Sequence, residues 1–130
     1  MNQTFLLLAI ALLFGGMTLY SFGFAAFLFT SLPPEVAGPT IRKAFPHFYL
    51  FVVGTAITAA LLAWNHDRVA AFVLAAVALT GLGARQVLMP AINAATDGGQ
   101  RVRFKVLHGL SVVVTLAHIA ATIFLLTRFV

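Results

Sequence analysis

The sequence predicts an all-α integral membrane protein, a four-helix antiparallel bundle that forms a single transmembrane domain over residues 1–130. Hydrophobic residues make up 62% of the chain and charged residues 8%, against about 45–50% and about 25% in soluble domains. A soluble protein of this size needs far more polar surface than these residues can supply. The composition therefore excludes a soluble globular enzyme, a disordered segment and a free nucleic-acid-binding domain.

Four apolar runs, each long enough to cross a bilayer, define the predicted helices. A membrane-spanning helix needs about 20 apolar residues, since each residue adds about 1.5 Å of length. The spans are predicted at about residues 5–29, 45–64, 69–89 and 104–127. Because the segments between them are short, consecutive helices are expected to run antiparallel.

The first two spans are predicted to be joined by a connection at the membrane surface, residues 31–44, which holds three prolines. Ser31-Leu32-Pro33-Pro34 is expected to end the first helix, because proline cannot donate the hydrogen bond that a helix interior requires. Pro46 is then expected in the first turn of the second helix, where its missing N–H costs nothing.

The second and third spans are predicted to form a hairpin through a tight polar turn, Asn65 to Arg68. Pro90 is expected to kink or end the third helix, and residues 91–103 to form a polar loop. In the fourth helix, five polar residues recur at intervals of three and four, within about 80° of arc. They are predicted to face the bundle interior and to make interhelical hydrogen bonds: His108, Ser111, Thr115, His118 and Thr122.

The basic residues of the connections predict the orientation of the bundle. Five of them fall at one end, namely Arg42, Lys43, Arg101, Arg103 and Lys105, whereas Arg68 and Arg128 fall at the other. The positive-inside rule places the richer end in the cytoplasm and both termini outside it. The expected location is a bacterial inner membrane. The absence of cysteine excludes disulfides, thiolate metal sites and iron–sulfur clusters.

A polar layer near the cytoplasmic end is the candidate functional site. His47, Arg85 and His108 each lie within one or two helical turns of that surface, and a charged residue inside a membrane span suggests function by default. We predict a ligand-binding site that adds the polar residues of the adjoining loop and helix: His47, Arg85, Asn93, Asp97, His108 and Ser111. No catalytic residue is predicted.

Several motifs resemble those of the transmembrane protein 205-like family, a domain of unknown function. They are Ser31-Leu32-Pro33, Lys43-Ala44-Phe45-Pro46-His47-Phe48-Tyr49 and Phe104-x-x-Leu107-His108-Gly109-x-Ser111, and Arg85, Pro90, Asn93 and Asp97 fit the end of that family's third helix. The resemblance implies a four-helix membrane protein. The chain is also distantly similar to the copper-resistance D-like membrane proteins, which use histidines within the bundle.

Three hypotheses of function are left open. The first is a small membrane protein that binds a ligand or ion, or supports transport, through the cytoplasmic-side polar layer. The second is a redox protein in which His47 and His108, the candidate metal ligands, coordinate haem or copper. The third is a structural or accessory subunit of a membrane complex. A membrane enzyme is the weakest alternative, since no nucleophile–base pair is visible. The expected partners are the lipid bilayer and either a second copy of the chain or a membrane complex, with no nucleic acid.

Overall fold

The computed structural model describes residues 2–130, with side chains described from Gln3 onward, and the chain folds into four long helices. They are the first helix, Gln3–Ser31; the second, Pro34–Ala63; the third, Arg68–Asp97; and the fourth, Arg101–Arg128. Each is long and apolar enough to cross a membrane, and the described residues contain no strand. Helices adjacent in sequence pack together, and the first also packs against the fourth, which closes the bundle. The predicted all-α antiparallel bundle is therefore confirmed.

Two short turns determine where the third helix begins and ends. At its start, the Asp67 carboxylate accepts a hydrogen bond from the Ala70 N–H at 3.1 Å. It also forms an ion pair with Arg128, whose Nε lies 2.8 Å from a carboxylate oxygen. The Arg128 guanidinium, helped by the Ala70 N–H, lowers the pKa of Asp67. At the other end Gly99 has a φ of 65°, and the Gln100 N–H donates to the Ala95 carbonyl at 2.9 Å. This is a Schellman motif, which needs a left-handed residue that glycine adopts without strain.

The predicted connection over residues 31–44 is wrong, because the second helix begins at Pro34 and only Leu32 and Pro33 separate it from the first. Pro34 occupies the first helical position, which tolerates proline. Pro39 and Pro46 lie inside the helix rather than in its first turn. Each removes one backbone donor, but neighbouring helices can bond the carbonyls released in this way, so that a membrane helix continues through proline.

The predicted loop over residues 91–103 is also largely helical. The third helix continues through Pro90 and ends only at Asp97, after a π-helical segment at Ala84–Leu88. In a π turn each backbone N–H bonds the carbonyl five residues earlier instead of four. This shift in the bonding pattern lets the helix continue although Pro90 has no N–H to donate. The third helix therefore extends over about 45 Å, well beyond the roughly 30 Å of a bilayer core.

The core lies between the helix faces that meet inside the bundle. In the first helix, Leu6, Ile10, Leu13 and Met17 are fully buried at helical spacing. Gly16 lets the second helix come close, since a Cβ there would lie 2.5 Å from ring atoms of Phe51. Large apolar residues on the outer faces are exposed to the surroundings, as a lipid-facing surface requires.

The polar stripe of the fourth helix divides into two parts. The part in the second half of the helix is buried as predicted: Thr115, His118 and Thr122 are exposed by at most 8%. His118 Nε2 lies 2.7 Å from Thr80 Oγ1 of the third helix. Thr80 donates its own proton to the Ala76 carbonyl, so its oxygen accepts from His118 Nε2–H. The part nearer the start of the fourth helix, with His108 and Ser111, lines a cavity.

Candidate functional site

A cavity of about 590 Å³ lies between the four helices, at the end where the first and third helices finish and the second and fourth begin. All four helices contribute to its wall. The wall is mainly apolar, with large side chains from three of the helices: Phe22, Phe29, Phe45, Met89 and Ile92. Such a volume and lining are typical of small-molecule sites, which range over about 300–1,000 Å³.

Aromatic packing between the first two helices fixes the wall of the cavity next to Phe45 and Tyr49. The Tyr20 ring lies 5.1 Å from Phe48, and Phe45 lies 5.5 Å from Phe48, measured between ring centroids. The Tyr20 hydroxyl donates to the Ala44 carbonyl at 2.8 Å, which joins the π-helical segment of the first helix, Leu19–Phe24, to the second helix. These contacts hold Phe45 and Tyr49 against the cavity.

Several polar side chains from the third and fourth helices reach the cavity. Asn93 and His108 line it, and neither side chain hydrogen-bonds to any other residue that the structure describes. His108 stacks on Phe104, with ring centroids 5.4 Å apart and an angle of 10° between the planes. Ser111 also lines the cavity, but its hydroxyl donates to the His108 carbonyl at 2.6 Å. Asn93 and His108 are therefore free to hydrogen-bond a bound molecule, and the Ser111 oxygen can still accept a hydrogen bond from it.

An ion pair between the second and third helices flanks the cavity. Arg42 lines it, and its two terminal nitrogens bond the two carboxylate oxygens of Asp97 at 2.7 and 2.9 Å. The Arg42 side chain is 43% exposed and that of Asp97 is 60% exposed. The pair is bidentate, which is the most specific geometry for arginine and a carboxylate.

The structure brings together only part of the predicted site. Asn93, His108 and Ser111 line the cavity, and Asp97 binds Arg42 beside it, whereas His47 and Arg85 do not line it. His47 is exposed on the outer face of the second helix.

Arg85 instead stabilises the packing of the second and third helices. Its Nε donates to the Pro46 carbonyl at 3.1 Å, and a terminal nitrogen donates to the Gln86 side chain at 2.9 Å. Arg85 is half-buried, so its guanidinium neither reaches the cavity nor lies free in the membrane.

The metal hypothesis required His47 and His108 to meet. They do not share the cavity, since His108 lines it and His47 does not. Among residues 2–130, no group of three or more histidine, cysteine, aspartate or glutamate residues is placed to hold a metal ion.

Sequence reasoning missed Arg42, Tyr49 and Phe104 as parts of the cavity. Arg42 had been assigned to a loop, but opposite charges at the adjoining ends of two antiparallel helices, Arg42 and Asp97, were a usable signal. The two aromatic residues gave none, because an aromatic residue in a membrane helix is as common on the lipid face as on a cavity wall.

Comparison with known proteins gives a family but no annotated relative. A family model described as a domain of unknown function, DUF4149, matches residues 8–101, which cover most of the first helix, all of the second and third, and the first residue of the fourth. No curated protein matches the chain, and no solved structure matches it either.

Proposed function

The chain belongs to the DUF4149 family, and from the geometry of its cavity we propose that it binds a small amphipathic molecule between its four helices. The apolar part of the molecule packs against the aromatic and aliphatic wall. Its polar end lies next to Asn93 and His108. Binding of this kind needs no catalytic group, and it serves a carrier or a sensor as well as a transporter.

The observation that carries the proposal is the mixed lining of the cavity. Its wall is mainly apolar, and a few polar groups line it from the second, third and fourth helices. Ligand sites commonly combine an apolar body with a few oriented polar groups. A cavity that only reflected loose helix packing would have no reason to collect an amide, an imidazole and a guanidinium.

The position of the cavity supports entry from the bilayer. Its residues come from the ends of the helices, where the polypeptide extends past the hydrocarbon region. A molecule there has its polar end among headgroups and its apolar end toward the membrane core. We propose that this end faces the cytoplasm, since Arg42, Lys43 and the three basic residues of Arg101–Lys105 all lie there. A bacterial inner membrane fits this orientation.

Two finer assignments are part of the proposal. The relationship to the transmembrane protein 205-like family rests on the motifs around Lys43–Tyr49 and Leu107–Ser111, and the second of these lies beyond the matched residues. Of the six predicted ligand-binding residues, we propose that Asn93, His108 and Ser111 contact the ligand directly and that Asp97 acts through Arg42. His47 and Arg85 are assigned no contact with it.

A nitroxide-labelled twelve-carbon alcohol tests the proposal by electron paramagnetic resonance. The protein is reconstituted in nanodiscs of phosphatidylcholine, and the immobilised fraction of the probe is compared with that in protein-free nanodiscs. Ala25 lines the cavity, so Ala25→Trp should fill part of it and remove the immobilised component. Ala26 is exposed and lies outside the cavity, so Ala26→Trp is a matched control that should leave binding intact.

The control also separates cavity binding from ordinary contact between the probe and the outer surface. Lipid molecules around the bundle are slowed as well, but their number does not depend on residue 25. Loss of the immobilised component in Ala25→Trp alone supports the proposal. Equal signals from the wild type and both variants would overturn it.

A further inference from the structure

We infer that the molecule bound in the cavity carries an anionic headgroup on a single apolar chain, and that Arg42 binds this headgroup in exchange for Asp97. The inference rests on the proposed function and names the chemical class of its ligand. A carboxylate and a phosphate monoester both satisfy it, since each presents two or more oxygens to the arginine fork.

The charges of the cavity wall favour an anion. Of the described residues that line the cavity, Arg42 alone carries a formal charge, and no carboxylate is among them. The acidic residues Glu35 and Asp97 lie outside the lining, and Asp67 is at the opposite end of the bundle. Because Asp97 pairs with Arg42 from outside the lining, a cationic headgroup inside the cavity would face a like charge in the wall, whereas an anionic headgroup would face an opposite one.

The Arg42–Asp97 pair indicates how the headgroup is held. Both terminal nitrogens of Arg42 already bond two oxygens of one carboxylate, at 2.7 and 2.9 Å. A planar or tetrahedral anion that takes the place of this carboxylate can be bound in the same bidentate way. Because both side chains are substantially exposed, at 43% and 60%, their pairing contributes little to stability and exchanges readily for another anion.

The other polar groups fit the same headgroup. Asn93 presents an amide and His108 an imidazole to the cavity, and both side chains lack a partner among the described residues. Either can donate a hydrogen bond to an oxygen that Arg42 does not cover. The cavity also lies among basic residues at its end of the bundle, which raise the local concentration of anions.

The size of the cavity favours one chain over two. A volume of 590 Å³ accommodates roughly twenty water-sized groups at about 30 Å³ each. From Arg42 to Tyr49 the wall follows the second helix inward for about 10 Å, at about 1.5 Å per residue. A headgroup on Arg42 thus places a single chain along Phe45 and Tyr49, toward the buried part of the fourth helix.

Displacement of the nitroxide alcohol by unlabelled amphiphiles of equal length tests the charge preference. The probes are dodecanoate, dodecyl phosphate, dodecanol and dodecylammonium, each titrated into the phosphatidylcholine nanodiscs. Because the Arg42 side chain is substantially exposed, its pairing is expected to make at least one anion bind up to about fivefold more tightly than the alcohol. The ammonium should bind more weakly than the alcohol. The two anions identify the source: a stronger carboxylate indicates a free fatty acid, and a stronger phosphate indicates a lipid phosphate headgroup.

Three variants assign the preference to Arg42. Arg42→Gln should reduce anion binding to the level of the alcohol measured in the same variant, and a retained helical circular dichroism spectrum with a cooperative unfolding transition shows that the variant is folded. Lys43→Gln removes the same charge from an exposed neighbour outside the cavity, so it should weaken anion binding much less than Arg42→Gln and leave alcohol binding unchanged. Asp97→Asn removes the competing carboxylate and should tighten anion binding.

The outcomes separate the two proposals. If the alcohol is not immobilised in the cavity, the proposed function fails and the headgroup inference fails with it. If the alcohol binds but the anions displace it no better than dodecanol, only the headgroup inference is overturned. The same conclusion follows if Arg42→Gln and Lys43→Gln weaken anion binding equally, because the preference would then reflect surface charge alone.

Discussion

Replacing Thr80 with valine is expected to weaken the contact between the third and fourth helices. Thr80 Oγ1 accepts from His118 Nε2–H at 2.7 Å, and His118 is 6% exposed. Valine has nearly the same shape as threonine but cannot accept the bond, so the imidazole N–H is left without a partner in a low-dielectric interior. Interhelical hydrogen bonds in membranes contribute about 0.6 kcal/mol on average and at most about 1.7 kcal/mol. We expect a loss of about 1 kcal/mol, which is above that average, because the donor is buried.

A double-mutant cycle isolates this contribution. His118→Leu removes the donor, and the double variant removes both partners, so the coupling free energy should fall between about 0.6 and about 1.7 kcal/mol. Thr58→Val is the matched control, since the Thr58 hydroxyl is exposed and bonds only the Gly54 carbonyl of its own helix, at 2.9 Å. This control should change stability by less than about 0.5 kcal/mol.

Reversible unfolding in mixed micelles, with a rising mole fraction of dodecyl sulfate, measures the free energies of unfolding. The chain has a single tryptophan, Trp64, which reports on native packing because its ring lies 6.0 Å from Phe72 and 4.0 Å from the Arg68 guanidinium. A coupling free energy indistinguishable from zero would refute the assignment of the bond. So would a loss in Thr58→Val as large as that in Thr80→Val.

Further predictions concern the packing and the turns. Gly16→Ala should lower stability by about 1–3 kcal/mol, since its methyl group overlaps Phe51, whereas Gly15→Ala, with nothing within 4 Å, should not; equal melting temperatures would contradict this. Because the folded pKa of Asp67 is lowered, its contribution is complete above the unfolded value of about 3.9 and is lost as pH falls through the folded value. Below about pH 4 the wild type should therefore lose stability, and part of this loss should be absent from the acid unfolding curve of Asp67→Asn. Parallel curves for the two proteins would count against the prediction. Arg85→Gln should destabilise the bundle by about 1 kcal/mol and leave probe binding unchanged, so loss of binding in a folded variant would restore Arg85 to the site.

The helix count and the bundle could be predicted because span length and hydropathy are properties of the sequence itself. Helix ends were harder. Pro33, Pro34 and Pro39 predicted a connection, and Pro46 was expected in the first turn of the second helix. The helix instead begins at Pro34, and both Pro39 and Pro46 lie within it. Pro90 was expected to kink or end the third helix, but the π turn before it allows the helix to continue. In both places, packing against neighbouring helices outweighs the local cost of a missing donor.

The sequence predicted neither the depth of the candidate site nor the rotation of each helix about its axis. The second helix begins at Pro34 and the third ends at Asp97, so His47 and Arg85 each lie more than three helical turns from those ends rather than one or two. Of the two histidines, only His108 lines the cavity. The rotation of a helix about its axis is predicted from the contrast between its polar and apolar faces. This contrast is weak in a membrane protein, because the lipid and the core are both apolar. Phe48, next to His47, is 1% exposed, and nothing in the local sequence distinguishes the face of one from that of the other. The fourth helix carried a polar stripe, and there the rotation was predicted correctly for Thr115, His118 and Thr122.

Photolabelling tests most directly whether an amphipathic molecule binds between the helices. A twelve-carbon alcohol with a diazirine on its chain is activated in nanodiscs, and modified residues are identified by mass spectrometry. Labelling of Met89 and Ile92 in the cavity should saturate and be blocked by excess dodecanol, whereas labelling of the exposed Leu8 and Leu61 should rise in proportion to the probe concentration. Cavity residues that label without saturation, at the same rate as the lipid-facing leucines, would contradict the proposed function.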